Sequence, residues 1–339
     1  MLLFGLSDKK CCYLKPVSDK GQLCQKKRCS CGSLDIKKFG KTKQRKQRFR
    51  CRECNKTFIW KEPHVKKHNE QHWFRLWVKE SYSIRQLSCM SGYSEFKLKS
   101  IKNYWLTKPP KEQFDYAQYK YIVYDGTYFH KDGCLINLMN AQDQKIISHS
   151  YIQKENFQDV YPWLLGLQAN GLDPDYITVD GERSVIRAIK MVWPKVKIQR
   201  CLYHIQHEGM RWLRSYPKTQ AGCDLRYLLS KLCCIRSFKE QNNFIESFNH
   251  WTNLYQNFVL SLPKINISFK DLKRTIGLIK NAIPDMFYYL KDQNIHSTTN
   301  ALESFHSRLK ADYRRHRGLS KNSKINYLSW YCYLKNSSK

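Results

Sequence analysis

YITVDGERSVIRAIKMVWPKVKIQR, Tyr176 to Arg200, changes its period twice. Tyr176 to Val179 is a β-branched run entered from the turn Gly171-Leu172-Asp173-Pro174, and it reads as a strand. From about Glu182 the apolar residues take helical spacing, and Val196 to Gln199 returns to a strand pattern. Upstream, Tyr119 to Tyr124, Cys134 to Met139 and Ile146 to Ile152 are three short runs dense in Ile, Val, Leu and Tyr, followed by an amphipathic helix over Phe157 to Ala169. Three strands, a helix, a strand, a helix and a strand predict an α/β fold with a mixed sheet.

Downstream, strand signals nearly vanish from about Ile205 to Lys291. Helical patterns replace them, as in Leu225, Leu228, Leu229 and Leu232, and again in Phe244, Phe248, Trp251 and Tyr255. This predicts an all-helical insertion into the α/β core. A final helix is expected over Asn300 to Arg314, with a C-terminal tail after it.

The chain of 339 residues carries 60 Lys and Arg against 28 Asp and Glu, a formal charge of +32. Such a field attracts polyanions, nucleic acid first among them. The first 110 residues hold 27 basic and 8 acidic side chains, so the charge is concentrated at the front. No apolar stretch approaches the ~18 residues of a membrane span, which argues against a membrane partner. The start, MLLFGLSDKKCC, has its lysines after the apolar patch, unlike a secretory signal. Fourteen cysteines without such a signal suggest a reducing compartment in which thiols bind metal or stay free.

Cys29-Ser30-Cys31 and Cys51-Arg52-Glu53-Cys54 approximate the paired knuckles of a zinc ribbon, one structural Zn²⁺ being the expected ligand. The first knuckle is one residue short, and Cys24 is an alternative to Cys29. A segment with so few apolar residues needs such a staple to fold. Between the knuckles, Lys41, Lys43, Arg45, Lys46 and Arg48 form a basic loop suited to phosphates.

Ser83 to Trp105 has the grammar of a helix-turn-helix. Gly92 is placed at the turn, Ser94 as the second N-cap, and Leu98, Ile101 and Trp105 inward. Lys97, Lys99, Lys102 and Asn103 remain for phosphates or base edges. An ordinary helical hairpin with a solvated lysine face has the same pattern; the neighbouring cysteines favour DNA. Lys108-Pro109-Pro110-Lys111 is a stiff linker.

Asp125 and Asp180 each close a strand run ahead of a glycine, a position from which a carboxylate can enter a crevice at the sheet's edge. On neighbouring strands they could share a divalent ion, Mg²⁺ being expected. Each also fits a turn-forming Asp-Gly pair. Glu303, three residues after Asn300, also fits a capping box.

The blocks YDGTYF, ITVDGERSVIRAIKMVWPKVKIQRCLYHI and STTNALESFHSRLKADYRRHRGLS together resemble the three motif blocks of DDE transposases of the Mutator-like superfamily. They are most similar to its bacterial insertion-sequence branch with an N-terminal zinc ribbon, over roughly residues 29 to 335. The resemblance implies a ribonuclease H-like core with a helical insertion. Asp125, Asp180 and Glu303 would be its catalytic triad holding two Mg²⁺ or Mn²⁺ ions, and Cys201 and His204 its supporting C-x2-H element. Arg314, Arg315 and Arg317, in the third block, are candidates for holding the strand. The partners implied are double-stranded DNA, at element ends and target, and further copies of the chain, at least a dimer at synapsis. The place implied is the bacterial cytoplasm, on the nucleoid.

The expected organisation is an unassigned segment (1–23), a zinc ribbon (24–62), a helix-turn-helix region with linker (63–110), the first part of the core (111–204), the helical insertion (205–296), and the final helix with its tail (297–339). A non-catalytic DNA-binding regulator needs only the ribbon, the helix-turn-helix and the charge, but this chain keeps all three acids. A nuclease or junction resolvase on the same core would cut without transferring the 3′ end.

Overall fold

The computed structural model describes residues 27–60, 63–111, 115–130 and 132–336; Cys24 and the segment 1–23 lie outside them. It divides into two units, Met1–Glu70 and Gln71–Lys339.

In the first unit β1 (Ile36–Lys41), β2 (Gln47–Cys51) and β3 (Thr57–Phe58) form an antiparallel sheet in that order. The β1–β2 loop is closed by Thr42 N–H donating to the Lys46 carbonyl and Arg45 N–H to the Thr42 carbonyl, each at 2.8 Å. Phe49 is buried and faces Phe58 at a ring separation of 6.2 Å. One aromatic pair is a small core, so the cysteines at its end matter.

The helix α1 (Pro63–Lys79) runs across the division. In the second unit, α2 (Ile84–Ser91) begins with a capping box between Ser83 and Gln86 and ends at Gly92, whose φ of 68° is the left-handed closure glycine permits. The N-cap of α3 (Glu95–Leu106) is Ser94, which accepts from Lys97 N–H. Leu98 and Ile101 are buried as expected, whereas Trp105 is half-buried.

A five-stranded sheet follows, from β4 (Tyr121–Tyr128), β5 (Cys134–Asn140), β6 (Ile146–Ile152), β7 (Tyr176–Val179) and β8 (Lys197–Arg200). Its order is β6-β5-β4-β7-β8; β4 to β6 form an antiparallel meander, and β7 and β8 continue parallel to β4. The fold is thus mixed α/β. The helices α4 (Phe157–Ala169) and α5 (Arg183–Val192) make the parallel crossovers.

Strand parity divides the sheet's faces. Ile122, Tyr124, Ile136, Leu138, Ile177 and Val179 pack against α4 and α5. The opposite parity, Val123, Leu135 and Met139, packs against α10 (Asn300–Arg314) and α11 (Lys321–Asn336). A strand covered on both faces is apolar at every position, which is the reading of the wholly buried β5. α2 and α3 share the second of these clusters. The Trp330 indole N–H is shared between the carbonyls of Trp105 and Lys108, at 3.1 and 2.8 Å. Between β8 and α10 lie α6 (Leu202–Leu213), α7 (Gln220–Ser230), α8 (Phe238–Ser261) and α9 (Ile267–Ala282), with a hydrophobic cluster of their own.

Three local expectations need correction. Asp125 does not end its strand: β4 runs on to Tyr128, because pairing with β5 continues through Asp125↔Asn137 to Tyr128↔Cys134. The N-cap of α10 is Thr299 and not Asn300, so the capping box that is the alternative reading of Glu303 does not form. The region beyond Arg314 is not a tail throughout, since α11 buries Tyr327, Leu328 and Tyr331 under the sheet. Among the described residues no helix is long and apolar enough to cross a membrane.

Candidate active site

The parallel register of β4 and β7 places the two aspartates. The last paired positions are Val123↔Thr178, and Asp125 and Asp180 each lie two residues further along. Neighbouring strands are about 4.8 Å apart, so the two backbones stand side by side at the sheet's edge. Both residues share the parity of Val123 and Thr178, which faces α10. There Asp125 Oδ2 lies 3.1 Å from His306 Nδ1, and His306 Nε2 lies 2.9 Å from Asn137 Oδ1. One buried imidazole therefore spans the cross-strand pair Asp125↔Asn137. A carboxylate only accepts, so it takes the Nδ1–H of His306. Asp180 Oδ1 accepts from Glu182 N–H at 2.9 Å, fixing the bend into α5.

Glu303 is in the first turn of α10, three residues before His306 and on the same side of the helix. Its Oε1 accepts from the Thr299 hydroxyl at 2.7 Å and lies 3.7 Å from His204 Nδ1. Cys201 and His204 open α6, and Cys201 Sγ accepts from Thr299 N–H at 3.3 Å. Burial works to keep His204 neutral, but the hydrogen bond with and charge of Cys201, together with Asp180 and Glu303, raise its pKa to about 9.

Cys201, His204 and Glu303 bring ligand atoms within 4.8 Å of one another. Between them, however, lies the fully buried Thr299 hydroxyl, 3.5 Å from the sulfur, 3.4 Å from the imidazole and 2.7 Å from the carboxylate. That hydroxyl is within hydrogen-bond distance of all three. The four residues form a hydrogen-bonded brace for Glu303.

A fourth carboxylate lies outside the three sequence blocks. Glu155, between β6 and α4, accepts from the Tyr124 hydroxyl at 2.8 Å, and its N–H donates to the Tyr128 hydroxyl at 3.1 Å. Burial raises its pKa to about 7 against that Tyr124 hydrogen bond, and the charges of Asp180 and Asp125 add to the rise. Gly126 belongs to this contact, since a Cβ there would stand 2.7 Å from Glu155 Oε2.

Asp125 meets α10 through His306, Glu303 meets α6 through His204, and the charge of Asp180 acts on His204, although the two aspartates stand outside the tight Cys201–His204–Glu303 group. Oxygen donors fit Mg²⁺ or Mn²⁺ in kind. His306 has a signal in the sequence, the Glu303-x-x-His306 spacing on one helical side. Glu155 and Thr299 have none.

The four ribbon cysteines, Cys29, Cys31, Cys51 and Cys54, also lie within 4.8 Å of one another, with Cys29 Sγ 3.4 Å from Cys54 and Cys31 Sγ 3.7 Å from Cys51. Tetrahedral zinc with Zn–S bonds of about 2.3 Å requires S···S separations of about 3.8 Å, so the four fit an all-cysteine zinc site. The short knuckle closes by Gly32 N–H donating to the Cys29 carbonyl at 2.9 Å, with Gly32 at a φ of 94°. The backbone of Cys31 chiefly lowers the Cys29 pKa, to about 6. In Cys31 the Ser33 backbone works downward, yet Cys54, burial and the other thiols push the pKa up to about 12.

The basic candidates are spread over both units. Lys41 at the end of β1 and Lys43, Arg45 and Lys46 on the β1–β2 loop are exposed, and Arg48 is half-buried on β2. On α3, Asn103 and Lys99 are exposed and Lys97 half-buried; Lys99 pairs with Glu95 at 3.7 Å. The Lys102 ammonium lies 5.7 Å over the Trp77 ring, and burial followed by Lys99 repulsion lowers its pKa. Arg314, Arg315 and Arg317 are exposed at the end of α10.

A comparison with protein families matches residues 121–208 to the MULE transposase domain. The match runs from β4 into α6, and so holds Asp125, Asp180, Cys201 and His204 but not Glu303. Comparison with curated proteins finds no match.

Proposed function

We propose that the chain is a DDE transposase with a ribonuclease H-like core, of the Mutator-like kind that carries an N-terminal zinc ribbon. What carries the reading is the equal placement of Asp125 and Asp180 on neighbouring parallel strands, facing the helix that bears Glu303. A transposase-related domain over the same strands supports it. The order β6-β5-β4-β7-β8, with all-helical residues before α10, suits the ribonuclease H-like description.

Asp125, Asp180 and Glu303 would hold Mg²⁺ or Mn²⁺. When bound, such ions activate an attacking oxygen and stabilise a leaving one in an in-line displacement. The chain's own residues keep the acids aimed. His306 holds one oxygen of Asp125, and Thr299 with His204 holds one of Glu303. Water displaces the 3′ oxygen at an element end, leaving a 3′-hydroxyl. That hydroxyl then attacks a target phosphodiester, forming one P–O bond as another breaks, so no external energy source is consumed. The ribbon, α3 and the α10 arginines are assigned to double-stranded DNA, and two ends brought together call for at least a dimer. For the bacterial branch that the sequence resembles, the place of action would be the cytoplasm, on the nucleoid.

The test is a strand-transfer assay with Mg²⁺ or Mn²⁺ and labelled duplex carrying the element's ends. Joined product from the native chain and none from Asp180→Asn is expected. Equal product from both would overturn the assignment, and cut ends without joining would favour a nuclease.

A further inference from the structure

Beside Asp180 opens a cavity of about 1110 Å³ between α5, the end of β8 and α9. Arg183 and Arg187 on one wall and Arg200 at its base face Lys270, Lys273 and Arg274 on α9, and among the described residues Asp285 is the one carboxylate in the lining. Arg183, Arg187, Lys270, Lys273 and Arg274 are exposed and Arg200 is half-buried, so together they present a basic surface to a polyanion. Two further observations point to an absent occupant. Arg200 has its guanidinium close over Gly181, and its buried Nε has no hydrogen-bond partner. Its best contact with the site is a marginal 3.5 Å hydrogen bond to the Asp180 carbonyl. Gly277, in the middle of α9, lines the same void with open space where its Cβ would be. A glycine there leaves the helix backbone open to close approach by a ligand.

The walls are not only basic. Trp212 and Phe269 also line the cavity, and Lys273 lies 5.6 Å over the Phe269 ring. Cations that follow a backbone, interleaved with aromatic faces, are the chemistry of single-stranded nucleic acid binding.

We propose that this cavity holds a single-stranded segment of the DNA, its phosphates on Arg200, Arg187 and the α9 cations, leading away from the carboxylate site. This rests on the reading of Asp125, Asp180 and Glu303 as a phosphodiester site. It adds a second grip on substrate, supplied by the helices between β8 and α10.

The experiment is binding of a fluorescent single-stranded oligonucleotide and of a duplex to the full chain, by anisotropy across a salt series in EDTA. Lys273→Ala with Arg274→Ala should weaken single-strand binding about tenfold. Each lost phosphate contact should flatten the slope of log K against log salt by about 0.7, while duplex affinity changes less than twofold. Arg187→Ala, on the other wall, should act in the same direction. It covers the case in which the α9 variant folds poorly, judged by circular dichroism. Lys231→Ala with Lys239→Ala, outside the cavity, is the control for general charge loss. Unchanged single-strand affinity and slope in both cavity variants would overturn the proposal, and so would equal losses for duplex and single strand, or for the control. Binding is read without metal or turnover, so this outcome is separate from the fate of the catalytic reading, which the Asp180→Asn assay decides.

Discussion

The His306 Nδ1 and the Asp125 Oδ2 are 181 positions apart in sequence and 3.1 Å apart in space. His306 is locked from the far side by Asn137, so the imidazole fixes which way the carboxylate of Asp125 points. It is a positioning residue in this reading. His306→Ala should lower the rate of strand transfer by about 10- to 100-fold, the usual cost of losing a partner that orients a metal ligand. DNA affinity in EDTA should not change. A parallel loss of DNA affinity would mean that the side chain acts elsewhere.

The four thiols make a sharper prediction about the ribbon. Zinc measured by atomic spectroscopy should approach one per chain in the native protein and none in Cys51→Ser with Cys54→Ser. Cys24→Ser should retain the metal and Cys29→Ser lose it, because Cys29 is the residue whose sulfur meets Cys54 at 3.4 Å. Retention in Cys29→Ser would return the first ligand to Cys24.

Gly181 has a φ of 116° and the Arg200 guanidinium lying where a Cβ would be. Gly181→Ala should therefore cost about 1–3 kcal/mol in stability from backbone strain alone. It should also displace Arg200 and disturb the bend that presents Asp180. A urea midpoint within error of the native value would contradict this.

His316 accounts for a pH dependence away from the site. Its Nε2–H donates to the Trp77 carbonyl at 2.9 Å, and its ring packs 4.2 Å from that indole. Burial lowers its pKa to about 4, below the usual 6.5. The unfolded chain then takes up the proton first. This contribution to stability is complete above about pH 6.5 and is lost as the pH falls toward 4. Urea midpoints between pH 7 and pH 4.5 should fall less steeply for His316→Gln than for the native chain. Identical slopes would refute the assignment.

Periodicity revealed the strands because β4 to β8 are short apolar runs bounded by turns, and Ile146–Ile152, Phe157–Ala169 and Asn300–Arg314 occur at the boundaries their patterns imply. Asp125 and Asp180 were visible as Asp-Gly pairs, although the strand around Asp125 ran further than its apolar run. Pairing with β5, which periodicity does not report, extends it. α11 was missed because a helix apolar around most of its circumference has weak periodicity, and its tyrosines look polar until buried. Glu155, Thr299 and Arg200 escaped for another reason. Their meaning lies in what they touch, and apart from the Thr299–Glu303 contact those partners are remote in sequence.

The helices between β8 and α10 also set a timetable. Asp125 and Asp180 leave the ribosome together with their strands, but Glu303 is 123 residues behind Asp180 (303 − 180). At elongation rates of about 5–20 residues per second, that separation lasts roughly 6–25 s. During this interval a nascent chain can already carry a folded ribbon and the outline of a sheet, yet hold only two of three acids. On the proposed function, a chain cut short within that span would keep the segments assigned to DNA and lack Glu303, so it should bind duplex without joining it.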